Sequence, residues 1–131
     1  MKFKDFICEE NFNIEKDVHE FISKNEFYKH YKTPEDFQGT CDGVSSDLYK
    51  FLIDKGYDIN LIEGIGAKFK LPENHPNINI PQFISHVVLK YKNKVVDLTG
   101  MQFGFDKVRI MPLSEFKKQF SKIKPFEAWK R

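Results

Sequence analysis

The sequence predicts an α+β fold in which N-terminal helices pack on a small antiparallel sheet. Three observations predict it. Apolar residues recur at helical spacing in two N-terminal segments, two β-rich runs meet at residues 92–93, and one more helical pattern follows them. A chain of 131 residues that is 40% hydrophobic and 15% aromatic can bury one core. It therefore reads as one domain over residues 1–131 and not as a disordered segment.

The elements follow in order. Ile14, Val18, Phe21 and Ile22 lie on one helical face, which predicts a helix over 14–31 with Asn13 as its N-cap. Thr33-Pro34 ends it or begins a turn. Residues 37–43 read as a loop, and Val44, Leu48, Phe51 and Leu52 mark a second helix that opens at Cys41 and stops before Gly56. Residues 57–66 alternate loosely, as in a strand. Residues 68–83 carry Pro72, Pro76 and Pro81 and read as a long loop, either a gate over a site or a plain connector. The runs 84–91 and 94–98 form a hairpin about Lys92-Asn93. Residues 107–111 add a strand. Ser114 is expected to cap a last helix that carries Phe116, Phe120 and Ile123 on one side and stops at Pro125.

Composition excludes several function classes. Twenty-one Lys and Arg nearly cancel nineteen Asp and Glu, leaving a net +2, so neither nucleic acid nor a membrane surface is an expected partner. The basic stretch from Lys117 to Arg131 reads as a solvated helix face. Two cysteines do not make a disulfide framework, and Cys8, after Phe6-Ile7, reads as a small buried residue. Residues 1–13 hold no apolar signal core, and no run approaches the roughly 20 apolar residues of a membrane span. The expected location is a reducing cytoplasm, with signal-independent export or delivery to a host cell left open. Cys8, Cys41, His75 and His86 lack the close paired spacing of a zinc site, so no metal or other cofactor is expected. His19 and His30 fall on the first helix as surface residues.

The chemistry gathers at three residues. Cys41 sits at a helix start, where backbone amides and the helix dipole favour a thiolate and can bind an oxyanion. His86 opens the apolar run Val87-Val88-Leu89, and Asp97 follows Val95-Val96; an Asp among β-formers needs a partner. A two-residue turn at Lys92-Asn93 pairs Tyr91 with Lys94 and puts His86 and Asp97 on one face as diagonal neighbours, roughly 7–8 Å apart. An Asp that accepts from one imidazole nitrogen leaves the other for the thiol.

The segments Gly39-Thr40-Cys41-Asp42-Gly43-Val44-Ser45, Ser85-His86-Val87-Val88-Leu89 and Val96-Asp97-Leu98-Thr99-Gly100-Met101-Gln102-Phe103 give the order Cys, His, Asp. This resembles the papain-like superfamily, and in particular compact bacterial papain-fold proteins: toxin domains that deamidate glutamine side chains, and related peptidases. The resemblance spans residues 38–103; Leu98 departs from the Pro common there. It implies a papain-like fold with Cys41, His86 and Asp97 as the catalytic set. It also implies Gln102, with Gln38 as a second candidate, as the amide side chain of an oxyanion hole. The implied activity is hydrolysis of an amide on a protein or peptide substrate. A transglutaminase or acyltransferase on the same residues, or a non-catalytic binding module, remain as alternatives. Oligomeric state has no signal in the sequence.

Overall fold

The computed structural model describes residues 12–127; Cys8 lies outside them. Helix α1 (Ile14–Lys24) begins where Asn13 Oδ1 accepts the Lys16 N–H at 3.1 Å. It is shorter than the expected 14–31, because Asn25 is extended and caps a second, one-turn helix α2 (Glu26–Lys29) by accepting the Tyr28 N–H at 2.8 Å. An asparagine side chain that can bond the backbone locally competes with helix continuation. A 3₁₀ turn (Pro34–Phe37) follows, and Gly39 takes a left-handed φ of 76° just before helix α3 (Cys41–Asp54). The expected loop over 37–43 thus gives way to helix at Cys41. Gly56, at φ 97°, closes α3 as expected.

Among the described residues, five strands form one antiparallel sheet: β1 (Asn60–Ala67), β2 (Ser85–Tyr91), β3 (Lys94–Asp97), β4 (Arg109–Pro112) and β5 (Phe120–Pro125), in the order β4-β3-β2-β1-β5. The hairpin register is the expected one, with Tyr91 opposite Lys94 and Leu89 opposite Val96, and Lys92 takes the φ of 54° that the tight turn needs. The architecture is α+β on a small antiparallel sheet.

The C-terminal part differs from expectation. Helix α4 (Leu113–Gln119) is short, its N-cap is Pro112, and Ser114 lies inside it. Phe120 and Ile123 belong to β5, which pairs with β1, Phe120 opposite Ala67 and Ile123 opposite Gly64. The spacing of Phe116, Phe120 and Ile123 fits a helix locally, but tertiary pairing overrides it. Lys122, Lys124 and Pro125 suit an edge strand, which avoids further pairing through charge and proline. The basic stretch is therefore helix only up to Gln119 among the described residues.

The sheet has two unlike faces. On one, Val87, Leu89 and Val96 pack with Val18, Leu48 and Leu52 of α1 and α3. On the other, Val88, Val95 and Ile62 pack with Phe103, Phe116 and Phe120. No helix among the described residues is long and apolar enough to cross a membrane.

Candidate active site

Cys41, Ser45, Leu48 and Leu52 share one face of α3 by their spacing of three and four. Leu48 and Leu52 are buried in the core against β2. Ser45 Oγ, also buried, donates to the Val87 carbonyl at 2.9 Å. This bond sets the helix along β2, so that Cys41, one turn earlier, arrives at the strand end that holds His86. The Cys41 thiol is free and partly exposed. As the first residue of α3, Cys41 belongs to the first turn, whose amides have no intrahelical acceptor.

His86 and Asp97 are fully buried, and His86 Nε2 lies 2.9 Å from Asp97 Oδ1. The ring is walled by aromatics: Phe103 edge-on at 4.9 Å and Phe120 stacked at 5.8 Å. Neither ring nitrogen makes a well-aligned hydrogen bond, so the contact to Asp97 is an ion pair in distance and not a straight N–H···O bond. Such alignment commonly tightens only with substrate in place. Burial is the largest influence on His86 and disfavours its charge. The Asp97 carboxylate outweighs it, helped by the Cys41 sulfur beside the ring, and the His86 pKa is pushed up to about 9.

Asp97 carries more contacts than the sequence disclosed. Oδ1 also accepts the Thr99 N–H at 3.1 Å, and Oδ2 accepts from Arg109 Nε at 3.2 Å and Nη2 at 2.5 Å. Arg109 faces Asp97 directly across the β3–β4 ladder. Its guanidinium lies 3.8 Å over the Phe105 ring and donates from Nη1 to Gln119 Oε1 at 3.2 Å. Burial opposes the Asp97 charge most strongly, but His86 and Arg109 together hold the carboxyl well below the usual carboxylate range. Gly100 belongs to the same construction, since a Cβ there would lie 2.6 Å from Asp97 Oδ2 and 3.2 Å from Arg109 Nε.

A cleft of about 290 Å³ opens over Cys41. Gln38, Gly39, Gln102 and Phe103 line one part, and His75, Asn77, Phe83 and Ser85 another. Both oxyanion-hole candidates are therefore at the cleft. Gln38 is exposed on the turn before α3, whereas Gln102 is buried and commits one amide hydrogen to the Thr99 carbonyl at 3.1 Å. The loop over 68–83 forms a wall of the cleft. It is a chain of turns, with His75 N–H to Pro72 O at 3.0 Å, Ile78 N–H to His75 O at 3.1 Å and Phe83 N–H to Ile80 O at 3.0 Å. His19 and His30 are exposed on the surface.

Comparison with protein-family models, curated proteins and solved structures finds no match to this chain. The chemistry is therefore read from the geometry alone. A sulfur at a cleft, an imidazole behind it and a carboxylate behind that form a path along which a proton can leave the sulfur. Sequence reasoning missed Arg109, Ser45 and Gly100, and took His75 only as a weak metal-ligand candidate. The signals available were an arginine at the start of a β-rich run and a histidine within the Pro- and Asn-rich segment before His86.

Proposed function

We propose that this chain is a thiol hydrolase of the papain-like kind, acting on an amide carbonyl of a protein or peptide. The observation that carries the reading is a buried imidazole with a carboxylate 2.9 Å from one nitrogen and a cleft-lining thiol beside the ring. Cys41 is the nucleophile, His86 the base and Asp97 the residue that orients His86 and balances its charge. Cys41 gives its proton to His86, and the sulfur attacks the carbonyl carbon. The oxyanion is held by first-turn amides of α3 and by the remaining amide hydrogen of Gln102. His86 returns the proton to the leaving nitrogen as the C–N bond breaks, leaving a thioester. Water then attacks the thioester while His86 takes its proton, and the carboxylate product and the free thiol result.

The test is the reactivity of Cys41 toward a small thiol reagent at neutral pH, compared with Cys8 and located by peptide mapping. Cys41 is expected to react much faster, and His86→Ala to remove the difference. Release of ammonia or peptide cleavage should disappear in Cys41→Ala. Slow, equal labelling of both cysteines would favour a non-catalytic binding module.

A further inference from the structure

His75 lies at the cleft, is 7% exposed, and takes no part in the chemistry above. Its Nδ1 accepts the Asn77 backbone N–H at 3.0 Å. A neutral imidazole has one acceptor and one donor nitrogen, so this bond assigns the ring proton to Nε2. Burial pushes the His75 pKa down and so favours the neutral ring. Among the described residues, no hydrogen bond occupies Nε2, and Nε2 is not among the fully buried, unpartnered polar atoms. Nε2 therefore keeps some contact with solvent, on a ring that lines the cleft. The ring is held in place as well: Phe103 packs against it at 5.5 Å, and the turns through Pro72 and Ile78 fix its backbone. Phe103 touches both His75 and His86, so the two rings are set by one aromatic wall.

A fixed N–H donor in the cleft calls for an acceptor, and the proposed thiol chemistry supplies one, the oxygen of an amide carbonyl. We infer that His75 is a substrate-binding residue whose Nε2–H donates to the carbonyl oxygen of an uncharged amide held beside Cys41. The inference rests on the thiol-enzyme reading and deepens it: the cleft recognises an amide carbonyl from the loop side as well as from the α3 side. The donor is already oriented before substrate arrives, so little ordering is needed on binding.

The experiment compares two reagents for Cys41. Chloroacetamide carries an amide carbonyl; 2,2′-dithiodipyridine carries none. His75→Phe keeps a ring and removes the donor, and His75→Gln restores an N–H near the Nε2 position. His75→Phe should slow chloroacetamide about three- to tenfold, the worth of one neutral hydrogen bond, and leave dithiodipyridine unchanged. His75→Gln should recover part of the loss. In the unaltered protein, ¹⁵N resonances of His75 should show a protonated Nε2 and a bare Nδ1 at pH 7. An unchanged ratio of the two rates in His75→Phe, a His75→Gln variant no better than His75→Phe, or a protonated Nδ1 would overturn the assignment. Failure of the thiol-enzyme reading looks different: Cys41 would react slowly with dithiodipyridine in the unaltered protein and would not respond to His86→Ala, and the assignment of His75 would fall with it.

Discussion

His86 and His75 are both buried, at 0% and 7% exposure, and both touch Phe103, yet their pKa values are displaced in opposite directions. Burial acts on each in the same sense, against the charged ring. The difference is the carboxylate. His86 has Asp97 at 2.9 Å, which favours the charged ring, whereas His75 has a backbone N–H as its polar partner and burial alone displaces its pKa. Histidine alone therefore says little; the neighbour within hydrogen-bond reach decides which charge state of the ring is favoured. Asp97 can play its part because Arg109 holds its second oxygen and keeps it ionised in an apolar setting.

The largest effect should come from making His86 resemble His75. Asp97→Asn removes the charge and leaves both His86 and Arg109 without an anion. Breaking a buried pair by removing one partner costs about 3–5 kcal/mol. The rate of Cys41 alkylation should fall by about 10²–10⁴, the usual contribution of a positioned base, and the limb of the pH–rate curve near 9 should vanish. Urea denaturation and the pH profile of labelling measure the two effects separately. A fully active Asp97→Asn protein would remove the basis of the comparison.

Gly100→Ala is a milder challenge to the same pair. The added methyl meets Asp97 Oδ2 at 2.6 Å, so the carboxylate or the 3₁₀ turn Gly100–Phe103 must move. A loss of about 1–3 kcal/mol is expected, as for overpacking elsewhere, with slower labelling of Cys41. Gly43→Ala in α3 meets nothing within 4 Å and should instead gain about 0.5–1 kcal/mol from helix propensity. Differential scanning calorimetry of the two variants checks the opposite signs.

The pH dependence of stability sharpens the contrast with the least disturbance. For His86 the folded pKa, about 9, lies above the unfolded value of 6.5. Its contribution is complete below pH 6.5 and is lost as pH rises through 9. For His75 the folded value lies below 6.5. Its contribution is complete above pH 6.5 and is lost as pH falls through that lowered value. The urea midpoint should therefore drift down on the alkaline side in the unaltered protein and not in His86→Phe. On the acid side His75→Phe should flatten the drift.

What was legible in the sequence tracks how local the cause is. The two-residue turn at Lys92-Asn93 fixes the hairpin register, so the shared face of His86 and Asp97 followed from counting. The helix start at Cys41 and the left-handed Gly56 are also local. The break at Asn25 was equally local but was hidden by an apolar pattern that runs through it. Arg109 reaches Asp97 across a ladder whose connection, 98–108, contains a 3₁₀ turn and no tight-turn signal, so its register had no sequence marker. The strand β5 was unreadable for the same reason: it is a strand because β1 is beside it, and its own spacing fits a helix. Ser45 illustrates a further blind spot, since one hydroxyl bonded to the Val87 carbonyl sets where the thiol lands.

The sheet places β5 next to β1, and Phe120 at its start covers His86 while Gly64, opposite Ile123, leaves room for that ring at a distance no Cβ would tolerate. Cys41, His86 and Asp97 all leave the ribosome before Phe116 and Phe120 do. A nascent chain that has reached β4 thus carries these three side chains and Phe103 but not the Phe116 and Phe120 rings on the other side of the imidazole. The apolar surroundings of His86 are therefore completed late in synthesis, when β5 docks beside β1.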